Sequence, residues 1–473
     1  MKKFMQSSIW MFFSNLIIRL IAIVVTPILA RNYPKEDLSI FRSLQSILLL
    51  VFVLIPLGTN LLYISESKEE REKYWSLFLL VSAICSLVSI PILYGLKIMS
   101  YNDTPLMLAF VILVPLISFF KNVYTAKYTE QIMFKEISLA IMYRQIVLYF
   151  LIIIFTFINK SIYFLMVSLL ISEITEVITL HHFSKKIKGF FINFKQKIVF
   201  DKKARFFTIY TGGANTIINF SLQLPSILVL TLLGKELAIE FQMPLVLVSI
   251  PMSLIIMSVS RVMFPYLSNN RDEGKMQATI LNSQYIFFIL GLPICSLMIY
   301  FSQEISNIIF NPEWKNVSLA LKLLSINIFF NMLQNPLSQL CLIKNKPKIG
   351  FYYAIIHLVS RLTGLYLGYN LWGFTGSVAL FVAFDSAIRL GRLIIDIKLI
   401  SISIKQYLLN VKIPIIALLF ISLFFLLSYH IELNKILIYI AIMILYLTIL
   451  FIFDKKRVEL LYNILKQGLT NER

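Results

Sequence analysis

Charged residues are scarce in this chain, and cysteine and histidine are scarcer. Of 473 residues, 14% are charged, three are cysteine and four are histidine. A soluble chain carries about 25% charged residues and at this length divides into domains with polar surfaces. The cysteines, Cys85, Cys295 and Cys341, stand singly in apolar runs, without the paired spacing of a zinc or redox site. The composition excludes an ordinary soluble protein, and we expect no metal and no cofactor.

Hydrophobic residues are correspondingly abundant, at 58% of the chain. Apolar runs of about 20 residues recur from end to end, and a helix of that length crosses a hydrocarbon layer of about 30 Å. We therefore predict an all-α, polytopic membrane protein with about fourteen transmembrane helices. The predicted helices cover approximately residues 9–30, 38–64, 75–98, 105–125, 139–158, 161–181, 207–233, 239–260, 278–301, 317–343, 349–370, 374–395, 411–429 and 436–453.

The longest connection between predicted helices follows the sixth, and it is rich in lysine. It divides the chain into a predicted N-terminal lobe of six helices (1–181), a basic cytoplasmic linker (182–206), a C-terminal lobe of six helices (207–400), and helices 13 and 14 with a basic tail (401–473). The phenylalanines of the linker, Phe190, Phe191 and Phe194, fit either an amphipathic helix on anionic lipid headgroups or a solvated linker.

The basic residues behind the net charge of +20 lie mostly in alternate loops. An excess of lysine and arginine in short loops marks the cytoplasmic side of a membrane protein. This distribution predicts an even number of helices with both termini in the cytoplasm. Because it accounts for the charge, no nucleic-acid partner is expected.

An internal repeat appears when the chain is aligned with itself at an offset of 200 residues. Asn15-Leu16-Ile17-Ile18 then matches Asn215-Thr216-Ile217-Ile218, and Lys35-Glu36 matches Lys235-Glu236. In this register Arg19 falls opposite Asn219, and Arg42 falls opposite Gln242. The repeat predicts two lobes of the same topology, related by an axis along the membrane normal, with a site between them.

Arginines inside the first two predicted helices are the main candidates for that site. Arg19 lies near mid-depth, where a guanidinium costs at least about 2.5 kcal/mol and should face protein or water. Neither Arg19 nor Arg42 has an acidic neighbour in its own helix. The planar guanidinium group of arginine binds phosphate through two parallel N–H donors, so two arginines suit a pyrophosphate. Arg42 is alternatively a snorkelling residue or a partner of Glu36, and Arg261 is a third candidate or a terminal topology charge.

Other polar residues in the apolar runs suggest structural pairs or a sugar path. Asn15, Asn219 and Gln242 are candidates for lining the path, or they bond between helices. The charged candidates for ion coupling or for structural pairing are Glu173 and Glu176 with Arg144, His357 with Arg361, and Asp385 with Arg389.

Prolines occur inside many predicted helices and suggest kinks at which helix halves swing. The residues are Pro27, Pro56, Pro91, Pro115, Pro225, Pro244, Pro251, Pro293, Pro336 and Pro414.

The opening stretch, together with the fourteen predicted helices in two lobes, resembles a known family. Its residues are Ser8-Ile9-Trp10, Asn15, Arg19, Pro27 and Arg31-Asn32-Tyr33. The chain resembles the polysaccharide repeat-unit flippases (Wzx type) of the multidrug/oligosaccharidyl-lipid/polysaccharide exporter superfamily. The resemblance implies a V-shaped cavity lined by arginines of helices one, two and eight, which carry Arg19, Arg42 and Arg261 here.

The same resemblance implies a function and a location. The expected substrate is an undecaprenyl-pyrophosphate-linked oligosaccharide, moved from the inner to the outer leaflet of the bacterial cytoplasmic membrane for O-antigen or capsule synthesis. Helices 13 and 14 would shape a groove for the lipid tail. A monomer is expected, beside anionic lipids and with a polysaccharide polymerase and a chain-length regulator as further partners.

Two other classes are weighed against the flippase. A cation-coupled exporter of the same superfamily would be expected to place a carboxylate in helix one or two, where this chain has arginines. A polysaccharide polymerase or ligase usually needs a sizeable outer loop with catalytic Arg or His, yet the longest here surrounds Asn311 to Asn316. No glycine-rich phosphate cradle and no nucleophile arrangement supports catalysis, so an enzyme is not expected.

Overall fold

The computed structural model describes residues 2–65, 68–95, 105–131, 133–185, 200–269, 272–344 and 346–428, with short helical pieces at 439–441, 443–446 and 448–449. Over these residues the chain is helical and contains no strand, which confirms the all-α prediction. Ten of the described helices are long and apolar enough to cross a membrane. This is a multi-pass membrane protein, while the count of fourteen helices stays a prediction.

The helices of the first half have the following bounds: α1 (Lys2–Asn32), α2 (Lys35–Leu54), α3 (Thr59–Ser65), α4 (Lys68–Gly95), α5 (Pro105–Glu130), α6 (Phe134–Ile158) and α7 (Ile162–Ser184). The predicted helix 38–64 is thus two helices. The chain turns between them at Leu57 and Gly58, whose φ angles are 42° and 77°. Pro56 precedes the turn and cannot supply the N–H that would continue α2.

The helices that follow are α8 (Lys202–Phe207), α9 (Gly213–Leu233), α10 (Lys235–Asn269), α11 (Glu273–Tyr300), α12 (Ser302–Ile309), α13 (Val317–Gln334), α14 (Leu340–Ile343), α15 (Pro347–Lys398) and α16 (Ile404–Ser428). A π-helical turn, Thr208–Gly212, joins α8 to α9. A 3₁₀ turn, Asn335–Gln339, ends α13, so the predicted helix 317–343 is also broken.

The long helix α15 is a helical hairpin that joins the two predicted helices 349–370 and 374–395. The backbone leaves the helical region at Trp372 and at Gly373, where φ is 59°. A Cβ added to Gly368 would overlap the carbonyl of Gly376, so the two arms touch through their backbones. The sharp reversal therefore depends on glycine.

The helices form two groups that meet along one seam. Within the N-terminal group (α1–α7), α6 packs on α1 and α7, and α5 packs on α4 and α7. Within the C-terminal group (α9–α16), α15 packs on α9 and α13, and α11 packs on α13 and α16. The groups join mainly where α2 of the first packs against α9 and α10 of the second.

Three of the proline kinks are held by side chains. A proline leaves the carbonyl four residues earlier without its helical donor. Before Pro56 this carbonyl belongs to Phe52, and its oxygen accepts a hydrogen bond of 2.8 Å from Asn122 Nδ2. The carbonyl of Ser221, before Pro225, accepts 2.5 Å from Arg361 Nη1. Tyr446 Oη donates at 3.4 Å to Ile289, four residues before Pro293. The carbonyls before these three prolines are therefore satisfied, and bending at the prolines stays a prediction.

Candidate functional site

Arg42 lies on the seam between the two helix groups. Its Nη1 donates to Gln45 Oε1 at 2.9 Å, and its Nη2 donates to the sulfur of Met243 on α10 at 3.6 Å. Its buried Nε has no hydrogen-bond partner among the described residues. Glu36, the alternative partner, lies instead 3.2 Å from Lys235. Arg42 is therefore a cation in the protein interior that meets an amide and a thioether but no carboxylate among the described side chains.

Arg19 is a second cation near the same place. It is half-buried on α1, and no described carboxylate lies within ion-pair distance of it. The phenol of Tyr149 on α6 interacts electrostatically with both Arg19 and Arg42. Tyr149 Oη accepts 3.3 Å from Gln145 Nε2, which leaves the hydroxyl proton available to an acceptor. Sequence reasoning missed Tyr149, because nothing in its local sequence distinguishes it from other apolar-run tyrosines.

The neutral candidates of the repeat have different surroundings. Gln242 is buried at the seam, where its Nε2 donates 2.6 Å to the carbonyl of Ser226 and lies 3.5 Å from Ser43 Oγ. Asn219 is half-buried and donates 2.7 Å to the carbonyl of Asn215 in its own helix. Asn15 is half-buried on α1. Arg261 belongs to α10, and its side chain lies outside the described residues.

The acidic pair of α7 forms a buried, charge-balanced cluster with two cations. Lys121 Nζ lies 2.7 Å from a carboxylate oxygen of Glu173 and 2.7 Å from one of Glu176. Arg144 lies 2.6 Å from Glu173 and 3.2 Å from Glu176. Two positive and two negative charges cancel, so this cluster holds α5, α6 and α7 together without a surplus charge. Lys121 was missed from the sequence, since it stands near the end of its apolar run.

Asp385 is the centre of a second buried cluster, inside the C-terminal group. Its oxygens accept 2.5 Å from Arg361 Nε, 2.7 Å from Arg389 Nε and 2.5 Å from Asn327 Nδ2. His357 Nε2 lies 2.7 Å from the same carboxylate. The sequence prediction paired Asp385 with Arg389 and His357 with Arg361, whereas the structure shares one carboxylate among all of them. This cluster is saturated with donors, so it offers no free carboxylate to a metal or sodium ion.

An additional ion pair, absent from the sequence prediction, lies beside this cluster. Arg392 Nε is 2.9 Å from Asp396 Oδ1, four residues along α15. The thiol of Cys341 contacts both residues. Among the described histidines, cysteines and carboxylates, no group of three has the arrangement of a metal site.

One end of the seam is closed by ion pairs between the two groups. Lys35 Nζ lies 2.6 Å from Glu240 Oε1 and donates 2.7 Å to the carbonyl of Glu313. Its ammonium lies 5.3 Å from the centre of the Trp314 ring. Glu240 also accepts from the backbone and side-chain nitrogens of Asn316, at 3.0 and 2.7 Å. Lys35 of the N-terminal group therefore binds to Glu240, Glu313 and Trp314 of the C-terminal group.

A surface pocket of about 520 Å³ lies at this end of the seam. Its lining residues are charged, apart from one proline: Pro34, Lys35, Glu36, Asp37, Glu236, Glu313 and Lys315. The pocket is at the mouth of the seam and not beside Arg19 and Arg42. Its lining includes Lys35 and Glu36, which form ion pairs with the other helix group.

This arrangement of two helix groups meeting at a seam is the fold of flippases and multidrug transporters. The structure is similar to that of a lipid II flippase, MurJ, in an inward closed conformation, with a TM-score of 0.70 and 17% identity over 96% of this chain and 100% of that chain. It is also similar to a multidrug resistance MATE family transporter in an outward-facing conformation (TM-score 0.60, 13% identity, 85% and 96% coverage) and in an inward-facing one (TM-score 0.61, 13% identity, 82% and 98% coverage).

Residues 4–271 match the family of polysaccharide biosynthesis proteins. The match covers more than half of the chain, and the chain belongs to this family. No curated protein sequence matches it.

Proposed function

We propose that this protein is a flippase for undecaprenyl-pyrophosphate-linked oligosaccharides, which it carries from the inner to the outer leaflet of a bacterial cytoplasmic membrane for O-antigen or capsule synthesis. The observation that carries the proposal is the charge balance inside the N-terminal group. Lys121 and Arg144 are neutralised by Glu173 and Glu176. The guanidinium groups of Arg19 and Arg42 have no described carboxylate partner, so Arg42 supplies a positive charge at the seam and Arg19 supplies a second one on α1.

A diphosphate diester suits two such guanidinium groups. It carries two negative charges and presents oxygen acceptors that planar N–H forks bind in pairs. Tyr149, close to both arginines, adds a hydroxyl donor. An anion in a seam of low dielectric gains more from these donors than it would in water. The head group of the lipid is therefore the part of the substrate that the arginines hold.

The location of the site agrees with passage along the seam. Arg42 touches both helix groups, because it donates to Met243 across the boundary. If the groups rock against each other, this contact breaks and the guanidinium becomes free for a substrate. The distribution of lysine among the loops supports an orientation with the Lys35 end of the seam outside and both chain termini in the cytoplasm.

A cation-coupled exporter remains the second candidate, and the buried carboxylates argue against it. Glu173 and Glu176 are held by two cations, and Asp385 is held by two arginines and an amide. A coupling cation would have to displace guanidinium groups that cannot lose their proton. A polymerase or ligase would be expected to have a sizeable outer loop with catalytic Arg or His, and the longest predicted one here surrounds Asn311 to Asn316.

The function is tested with variants of Arg19 in cells and in vesicles. Arg19→Ala is expected to abolish transfer of a fluorescent undecaprenyl-pyrophosphate sugar across proteoliposomes and export of surface polysaccharide, at unchanged membrane abundance. Arg205→Ala, which removes an exposed arginine of α8, is the matched control and should transport normally. Undiminished transfer by Arg19→Ala, or no transfer by the wild-type protein, would refute the proposal.

A further inference from the structure

At the end of the seam opposite Lys35, the two helix groups touch through glycine backbones. A Cβ added to Gly58 would overlap the Cα of Gly212. A Cβ added to Gly212 would lie 2.6 Å from the carbonyl oxygen of Leu57 and 2.8 Å from the Cα of Gly58. No side chain fits between the two backbones, so only glycine permits this approach.

The backbone is irregular on both sides of this contact. On the N-terminal side, Leu57 and Gly58 have positive φ angles, and they separate α2 from α3. On the C-terminal side, Gly212 ends the π-helical turn that separates α8 from α9. Hinges in proteins are a few residues at the ends of elements that absorb changes in φ and ψ, and π turns inside helices concentrate at functional positions. Here two such breaks face each other.

The chain changes its packing partner across the π turn. Before the turn, α8 belongs with the N-terminal group, because Ala204 packs with Leu62 and Tyr74 in one buried cluster. Tyr74 Oη also donates 2.9 Å to Asp201, which caps α8 through the N–H of Ala204.

Within and after the turn, the chain contacts the C-terminal group. The ring of Tyr210 meets that of Phe351 on α15 at 5.6 Å, edge to face. Gly213 also lies against the ring of Phe351. The crossing between the packed helix groups therefore lies at the turn Thr208–Gly212, while the predicted lobe boundaries stay a prediction.

The opposite end of the seam is built differently. There the groups are joined by side chains, through the pairs of Lys35 with Glu240 and of Glu36 with Lys235. The second of these pairs is largely open to solvent, with side chains 37% and 54% exposed. Ion pairs of this kind can separate, because water then solvates the two charges. The backbone contact between Gly58 and Gly212 is a van der Waals contact, and solvation of charges does not favour its separation.

We propose that Leu57–Gly58 and Thr208–Gly212 form the pivot of the half-cycle in which the seam opens at the Lys35 end: they stay in contact while the two helix groups separate there. Helix α8 moves with the N-terminal group, and the π turn absorbs the rotation. The inference deepens the proposed function by assigning the moving and the fixed parts of the seam. The motion itself is measurable without any lipid-linked substrate.

Distances between spin labels at the two ends test the pivot. In a Cys85→Ser background, one pair of labels replaces Lys160 and Asn311, both exposed near the Lys35 end. The other pair replaces Gln131 and Lys346, both exposed near the glycine contact. The protein is full length, in lipid nanodiscs, and the ion pair is broken by Glu240→Gln. Exposed Glu236, one turn earlier in α10, gives the matched control Glu236→Gln.

The pivot predicts that Glu240→Gln adds a second population to the distance distribution between the labels at positions 160 and 311, several ångströms longer than the first. The distance between the labels at positions 131 and 346 should stay unchanged. Glu236→Gln should change neither pair. Equal lengthening of both pairs, or lengthening at the glycine end alone, would overturn the pivot. An unchanged Lys160/Asn311 pair would do the same.

A second variant tests the glycine contact directly. Gly58→Ala should lengthen the Gln131/Lys346 distance, because the added methyl group forces the backbones apart, whereas Gly391→Ala, which meets nothing within 4 Å, should not. An unaltered distance in folded Gly58→Ala protein would contradict the pivot. If the distances behave as predicted and no lipid-linked sugar is transferred, the pivot stands and the proposed function falls.

Discussion

Arg42 of α2 donates to the sulfur of Met243 on α10, while Gln242 of α10 lies 3.5 Å from the hydroxyl of Ser43 on α2. Adding 200 to the number of Arg42 and subtracting 200 from that of Met243 gives positions 242 and 43, which are the residues of the second contact. These two contacts are thus related by the register of the predicted repeat. Their chemistry differs, since one side offers a guanidinium and the other an amide.

This asymmetry leads to a prediction for Arg42. We expect Arg42→Lys to lower the rate of lipid transfer about 10- to 100-fold, because lysine keeps the charge but loses the planar fork, and a hydrogen bond to a charged group contributes about 1.5–3 kcal/mol. Transfer is measured in proteoliposomes at equal protein content. Lys322→Arg, on the exposed side of α13, is the matched control. Equal rates for Arg42→Lys and wild type would show that a point charge suffices.

The hydroxyl of Tyr149 is predicted to contribute to anion binding. Tyr149→Phe should weaken binding of inorganic pyrophosphate to the purified protein about fivefold, since one neutral hydrogen bond is worth about 1 kcal/mol. Binding is measured by isothermal titration calorimetry at constant salt. Tyr143→Phe, at an exposed position on the same helix, should bind as the wild type does. Unchanged affinity in Tyr149→Phe would remove this residue from the site.

The buried cluster around Glu173 is predicted to be structural. Lys121→Met should lower stability by about 3–5 kcal/mol, because it leaves two buried carboxylates beside one arginine. Adding Glu176→Gln restores the balance of charge and should recover most of the loss. Stability is measured as the thermal midpoint of the detergent-solubilised protein by size-exclusion chromatography. A double variant as unstable as Lys121→Met would mean that geometry and not charge balance holds the cluster.

The clamp on the kink at Pro56 gives a prediction that depends on the background. Asn122→Ala should destabilise the wild-type protein by about 1–3 kcal/mol, because the freed carbonyl of Phe52 then has no donor. In a Pro56→Ala background the backbone N–H can serve that carbonyl, and the same change should cost less. A double-mutant cycle of thermal midpoints measures the difference. Equal costs in both backgrounds would show that Asn122 acts through its bond to Ser118 alone.

Much of the architecture followed from hydrophobic periodicity and length. Long apolar runs must form helices in a membrane, because only helices satisfy the backbone within one segment. The candidate arginines also followed from sequence, since a guanidinium in an apolar run needs a protein or aqueous environment. The spacing of Glu173 and Glu176 pointed to Arg144 for the same reason. The side chains that serve the carbonyls before Pro56, Pro225 and Pro293 did not follow from the sequence, because their donors come from other helices.

The sequence by itself determined the class of this protein, the helical character of its long apolar runs and the residues whose charge is costly in a membrane. Only the tertiary structure decided which charges are cancelled and which remain, because a partner such as Lys121 or Arg361 comes from a helix distant in sequence. It also decided where the two groups join. Gly58 and Gly212 are ordinary residues in the sequence, and their importance arises from two backbones that approach too closely for any side chain.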